Sequence, residues 1–496
     1  MTAHHVLALD VGTSSVRAMI GAFDGERLTL EENDRFYHMP VETPSGIYWN
    51  LPGIYQRLEE LISGALMRRN AIQSLSLDAW GTDMVALDRS GDLITNGIST
   101  RDVRFRGAKE EFFRLIPRDE IYARTGIQFL DWNTLYLLYS LNREKPWLKD
   151  AAERWLFAPD CLLYLLTGER ICDYTIASTS QMLNPESGKW DQQLVCAAGV
   201  HPASLGTPER GKLLGEARAS GLQVYSGCSH DTAAAVAGTP IGGKDELYII
   251  AGSWAMMGAE LSEPVVSSAA QKCGFSNEGG VDGSIRFLKN SMGMWLIQES
   301  RREWARQGTE MSFGDLAAAG TEETPYRAII DVNEPRLQSA GDVPGIIREL
   351  CAQSGQFVPQ SAGEVVRVIN DSLAFKFRIQ LEEIERCTGR RYGTIHVVAG
   401  GSRDASLCQA IADVTGCRVL AGPSEASAYG NCMSQLICSG MVKDLSEARQ
   451  VLRNSIHMRE FLPCGSAEIE DLVARMRSSI QSTVSRTQNR ERGGLK

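Results

Sequence analysis

The feature that most constrains this chain is a local pattern that occurs twice. Val6-Leu7-Ala8-Leu9 is a short apolar run that stops at Asp10-Val11-Gly12-Thr13-Ser14-Ser15, and a second apolar stretch follows from Val16 to Phe23. Two such runs around a turn of Gly and hydroxyl residues predict a β-hairpin. Leu28 to Glu32 supplies a third strand, Ile54 to Arg69 has helical spacing, and Ile72 to Trp80 and Met84 to Leu87 return to strands, a βββαβ order. Near residue 247 the pattern starts again with Leu247-Tyr248-Ile249-Ile250-Ala251, the turn Gly252-Ser253-Trp254 and the run Ala255 to Leu261. Further on, Gly363 to Cys387 reads as a long helix and Thr394 to Val398 as a buried strand that ends at Ala399-Gly400-Gly401-Ser402. The pattern predicts an α/β fold of two duplicated domains with a cleft between them, broken at the Gly/Pro cluster of residues 238–246. The expected division is 1–240, 241–465, and a C-terminal helix and tail over 466–496 that frays from about Ser485.

At 496 residues the chain is long enough for each domain to bury its own core. A net charge of -10 leaves no basic footprint, so neither nucleic acid nor an anionic membrane surface is an expected partner. The twelve cysteines are scattered from Cys161 to Cys464 without a CxxC pair, the usage of reduced thiols in a cytoplasmic protein. The start has no basic leader, and no apolar run approaches the roughly 18 residues of a membrane span.

Four segments carry residues suited to chemistry. Asp10 to Ser15 combines a carboxylate, a glycine and three hydroxyls, either an ordinary hairpin turn or a grip for phosphate. Asp78-Ala79-Trp80-Gly81-Thr82-Asp83 ends a strand with two carboxylates and an aromatic ring, either an Asp-rich turn with a core Trp or an edge whose acceptors and ring suit a sugar. Ser229-His230-Asp231-Thr232-Ala233 follows the strand-like Leu222 to Tyr225 and precedes the small-residue run to Gly238. Asp231 there either caps the following helix or stands ready to take a proton from a hydroxyl. Gly400-Gly401 is a tight strand-to-helix turn or a place where backbone approaches a nucleotide. A GxxxxGK[ST] phosphate loop and a GxGxxG after a strand are both absent. The seven histidines are far apart and none has HExxH spacing, so any metal is expected to be Mg²⁺ arriving with a nucleotide.

Taken together and in order, Leu9 to Ser15, Asp78 to Asp83, Ser229 to Thr232, Gly252-Ser253-Trp254 and Val398 to Gly401 resemble the FGGY carbohydrate kinases. Gly126 to Phe129 with Asn133 to Tyr136, Leu166 to Glu169, Asn277 to Gly280, Leu288 to Gly293 with Trp295 to Gln298, and Ala421 to Ser427 are similar to the subfamily that acts on L-rhamnulose. The resemblance covers about residues 5 to 460. It implies the actin-like ATPase fold, two ribonuclease H-like domains, and ATP-dependent phosphorylation of a ketose, L-rhamnulose to L-rhamnulose 1-phosphate. Alternatives are L-fuculose or another ketose or, in a different class, a catalytically weak sugar-binding regulator.

By the same resemblance Asp231 is the base and Asp10 organises Mg²⁺ through water. Thr13, Ser14, Ser15, Arg17 and Ser253 lie on two phosphate-facing hairpins, and Gln298, Gly400 and Gly401 contact the nucleotide. Gly81, Asp83, His230, Asp231, Thr232 and Asn290 are the expected sugar contacts. Four departures from the subfamily stand out: Val16 in place of Gly, Ser253 in place of Thr, Ala399-Gly400-Gly401-Ser402-Arg403-Asp404 in place of a three-glycine turn that continues with Asn, and Asp131-Trp132 in place of Pro-Phe. The partners implied are ATP and a small ketose, for a monomer or homodimer.

Overall fold

The computed structural model describes residues 3–69, 71–339, 341–464 and 469–476. Of the expected C-terminal helix and tail, 469–476 is helical, and the segment expected to fray from Ser485 lies outside the described residues. In chain order the elements that matter here begin with strands β1 (His4–Val11), β2 (Ser15–Phe23) and β3 (Leu28–Tyr37), helix α1 (Leu51–Arg68), β4 (Ile72–Ala79), α2 (Ala158–Thr167), β5 (Leu213–Glu216), β6 (Gln223–Tyr225) and α3 (Asp231–Ala237). Then follow β7 (Glu246–Ala251), β8 (Trp254–Leu261), β9 (Ser276–Gly279), β10 (Ile285–Met292), α4 (Trp295–Arg306) and α5 (Ala362–Thr388). The last are β11 (Thr394–Val398), α6 (Ala405–Thr415), β12 (Arg418–Ala421), α7 (Ala426–Cys438) and β13 (Arg459–Phe461).

The chain divides into two compact units, residues 1–240, 260–288 and 425–456 in the first, and 241–259, 289–424 and 457–496 in the second. The sheet of the first runs β3-β2-β1-β4-β6-β5. Its first three strands form an antiparallel meander, β1, β4 and β6 run parallel, and β5 closes the edge antiparallel to β6. Because both faces of β1 are covered, its run is apolar throughout rather than alternating. Leu7, Leu9 and Val11 belong to the core under α1 and α2, while Val6 and Ala8 belong to a second core built with Ala428, Cys432, Met433 and Leu436 of α7. Helix α1 follows from its pattern: Leu51, Ile54, Leu58, Leu61, Ile62 and Ala65 are buried along one stripe, and the Asn50 side chain accepts from the Gly53 amide at 3.1 Å.

The second sheet has seven strands in the order β9-β10-β8-β7-β11-β12-β13. Here too a hairpin (β7, β8) is followed by parallel pairings, β7 to β11 and β11 to β12, with an antiparallel edge strand, β13. The strand plan of the first sheet is thus repeated, and the duplication read from the two hairpins is present in the topology. The edge strand β5 precedes its neighbour in the chain, however, whereas β13 follows its own. Helix α5 opens on a capping box, Ser361 with Glu364, and packs with α6. Among the described residues no helix is long and apolar enough to cross a membrane, and no disulfide is formed.

One contact in the first unit depends on glycine. Helices α3 and α7 lie so close that a Cβ on Gly430 would stand 1.7 Å from the Ala234 carbonyl oxygen, and one on Gly238 would stand 1.9 Å from that of Ala426. The small-residue run after Asp231 is therefore a packing surface for α7.

Candidate active site

Asp10 and Arg17 face each other across the first hairpin, so their side chains leave the sheet on one side. The Arg17 guanidinium pairs with both the Asp10 and Glu425 carboxylates, and the Ser427 hydroxyl donates to Asp10 Oδ2 at 2.8 Å. Burial opposes the charge on Arg17, but the two carboxylates outweigh it and hold the guanidinium protonated. Beyond this pair the turn is closed by the Gly12 amide on the Ser15 carbonyl at 3.0 Å, leaving Thr13 and Ser14 exposed at the tip and Ser15 half-buried. Val16 is wholly buried in the core, so it does not narrow the turn.

Helix α7 carries polar residues at i, i+4 and i+8, one face of a helix. Ser427 reaches Asp10, Asn431 donates to Asp78 Oδ2 at 2.7 Å, and Gln435 donates to the Leu7 carbonyl at 3.0 Å while accepting from the Ser74 hydroxyl at 2.9 Å. Asp78 is fully buried, and desolvation followed by the nearby Asp10 charge pushes its carboxyl well up.

The segment Ser229 to Thr232 is fixed on two sides. The Ala79 amide at the end of β4 donates to the Ser229 carbonyl at 2.9 Å, and the His230 amide donates to the Thr175 hydroxyl at 3.3 Å. His230 occupies the cap position of α3 and Asp231 is the first helical residue, so the capping role is not Asp231's. The Thr232 hydroxyl donates to Asp231 Oδ1 at 3.1 Å. Asp231 keeps 36 % of its side-chain surface accessible yet sits deep among protein atoms. That desolvation, with the Asp10 charge second, pushes its carboxyl up to about 7. Gly81 is adjacent: a Cβ there would stand 3.3 Å from His230 Nε2.

Two expectations for the Asp78–Asp83 edge need correction. Trp80 is not a ring open to a sugar face, and Asp83 is not an exposed acceptor; both are buried. Trp80 packs on Trp49 with ring centroids 4.2 Å apart, and both indole N–H groups donate to Asp83 Oδ2, at 2.9 and 2.5 Å. The turn reverses through Thr82 at φ 74°, which carries Asp83 inward. Sequence reasoning placed Glu425 and Ser427 in a subfamily segment without giving either a role, and missed Asn431 and Arg286. Polar residues at four-residue spacing in the otherwise apolar α7 were the available signal for Ser427 and Asn431.

In the second unit Ser253 stands at the tip of the β7–β8 hairpin and donates to Gln298 Oε1 of α4 at 3.0 Å. The start of α4 is pinned to the same turn by the Met294 amide on the Gly252 carbonyl at 2.9 Å and the Trp295 amide on that of Ser253 at 3.1 Å. Asn290 is half-buried on β10. Gly400 has open space where a side chain would be, whereas a Cβ on Gly401 would meet that of Ala251 at 2.5 Å. Ala399 adopts φ 64°, ψ -164°, a conformation that glycine adopts freely and alanine resists.

Residues 5–238 match the N-terminal domain, and residues 247–438 the C-terminal domain, of the FGGY family of carbohydrate kinases. The chain is 35 % identical over 468 residues to a rhamnulokinase from Bacteroides thetaiotaomicron, which covers 92 % of this chain and 95 % of the relative. It is 35 % identical over 460 residues to a rhamnulokinase from Oceanobacillus iheyensis, covering 91 % and 97 %. Among solved structures it is similar in fold to a gluconate kinase from Lactobacillus acidophilus, with TM-score 0.78, 14 % identity and 98 % of both chains covered. A glycerol kinase with ADP from Plasmodium falciparum is similar too, with TM-score 0.76, 15 % identity and 98 % of both chains covered. The doubled sheet is the actin-like ATPase fold, here in a phosphotransferase. The chain belongs to the FGGY family of carbohydrate kinases and carries out ATP-dependent phosphorylation of a sugar.

Proposed function

We propose that the sugar is L-rhamnulose, phosphorylated on its 1-hydroxyl, and that Asp231 is the base. The substrate reading is supported by two relatives named rhamnulokinase, each aligned with more than nine-tenths of this chain. The base reading rests on one observation: the carboxyl of Asp231 is partly accessible at the start of α3 and is pushed up to about 7, near the pH at which a general base works best. Asp231 orients the sugar hydroxyl and takes its proton as the oxygen attacks the γ-phosphorus of ATP. Gly81 leaves room beside His230 for the sugar, and His230, Thr232 and Asn290 are the other residues we assign to it.

Residues 241–465 are the proposed nucleotide-binding domain, with Ser253, Gln298, Gly400 and Gly401 toward ATP and the Thr13–Arg17 hairpin toward its phosphates. Asp10 is the proposed Mg²⁺ residue, acting through water. The surroundings fit a cation, because Asp10 raises the pKa of both Asp78 and Asp231, the mark of negative charge gathered in a small space. Mg²⁺, when bound, neutralises charge on the polyphosphate. Turnover on a panel of ketoses with ATP and Mg²⁺ tests the substrate. L-rhamnulose is expected to give the highest kcat/KM, L-fuculose a lower one, and activity on a pentulose but on neither 6-deoxyketohexose would overturn the reading.

A further inference from the structure

His230 is held from behind by a residue outside the proposed site. Arg286, on β10, is completely buried. Its Nε donates to the Gly279 carbonyl at 2.9 Å, and its Nη2 lies 3.2 Å from Glu278 Oε2 and 3.2 Å from His230 Nδ1. All three partners are within one unit, so the arrangement is internal to it. A guanidinium has only donors, so Nδ1 of His230 must accept. The remaining ring proton then resides on Nε2, the nitrogen that lies 3.5 Å from Asp231 Oδ1 and faces Gly81. Glycine at position 81 leaves that nitrogen uncovered, and the neighbouring Gly279 amide is tied to the Ser178 hydroxyl at 2.7 Å, which holds the floor of the arrangement in place.

We propose that Arg286, paired with Glu278, is a positioning residue that locks His230 as a neutral imidazole with its proton on Nε2, making it an obligate donor toward one hydroxyl oxygen of the bound sugar. The consequence is directional. The sugar hydroxyl that meets His230 can only accept there, so its own proton points elsewhere, and an epimer that turns this hydroxyl away leaves a buried donor without a partner. Burial and the Arg286 charge both disfavour an imidazolium, which agrees with this assignment. The sugar-facing half of the inference rests on the proposed function; the locked tautomer does not.

Long-range ¹H–¹⁵N correlation on protein labelled with ¹⁵N-histidine tests it, with the His230 signals identified by their loss in His230→Gln. The wild type is expected to give the neutral Nε2–H pattern, unchanged between about pH 5 and 8. Glu278→Gln, which keeps the Arg286 donor, should preserve the pattern. The double variant Arg286→Met with Glu278→Gln, which removes both buried charges together, should lose it, and KM for the sugar should rise about tenfold, the worth of one hydrogen bond. An Nδ1–H or imidazolium pattern in the wild type overturns the lock whether or not the variants fold, as does an unchanged pattern in the double variant. A changed tautomer with an unchanged KM would leave the lock standing and remove His230 from the sugar site, separating this inference from the proposed function.

Discussion

The amide of Asn431 donates to Asp78 Oδ2 at 2.7 Å across 353 residues of chain, tying α7 to the end of β4. Among the described residues Asp78 Oδ1, also buried, has no hydrogen-bond partner, and Asn431 supplies the side-chain hydrogen bond to Oδ2. Asn431→Ala should therefore destabilise the protein by about 1–3 kcal/mol, the usual result of stranding a buried polar group. Urea unfolding at neutral pH measures this, and a change below about 0.5 kcal/mol would show that Asp78 needs no such support.

Asp231→Asn keeps the shape of the helix start and removes the base. Folding and sugar binding should persist while kcat falls by about 10²- to 10⁴-fold, measured by coupled assay and by calorimetry with the sugar. In the wild type the base must be ionised, so kcat/KM should rise with pH through the value near 7 to which the carboxyl is pushed and level off above it. The stability sign is opposite. A carboxyl with a raised native pKa keeps a proton that the unfolded chain releases near pH 4, so its contribution becomes unfavourable as pH climbs from about 4 to 7. The Tm of Asp231→Asn relative to wild type should rise over that window and stay level beyond it.

The two hairpins were legible because strand periodicity and turn composition are local properties, and Thr13, Ser14 and Ser253 do stand at hairpin tips. What could not be read were partnerships with no local signature. Arg17 with Glu425 spans 408 residues, and nothing near either residue announces the other. Trp80 and Asp83 illustrate a different failure, since an aromatic beside a carboxylate suits a sugar edge and a buried indole–carboxylate bond equally well. Only the left-handed turn at Thr82 and the arrival of Trp49 decide between them. Likewise the break near 240 says nothing of the segments 260–288 and 425–456, which group with the first unit.

Ala399 is a position where a smaller residue should help. Its φ of 64° and ψ of -164° cost alanine about 1–3 kcal/mol and glycine almost nothing. Ala399→Gly should raise stability by about 1 kcal/mol net of the added freedom of the unfolded chain. Loss of stability in urea unfolding would contradict this, and the sign is diagnostic because Ala→Gly changes ordinarily destabilise.

Gly430→Ala places a methyl where 1.7 Å separates it from the Ala234 carbonyl. Backbone cannot yield as a side-chain tip can, so α3 and α7 must part, with a cost of about 3 kcal/mol or more. Because Asp231 begins α3 and Ser427 lies on α7, activity should fall along with Tm. A variant with wild-type Tm and kcat would mean the helices are not so closely apposed.

The placement of α7 has a consequence for biosynthesis. The wall that covers Val6 and Ala8 of β1 is made from residues 426–438, so that face of β1 is closed only once this far later segment has been made. A fragment ending near residue 240 would leave that apolar sheet face uncovered, the kind of surface that draws chains into aggregates or chaperones.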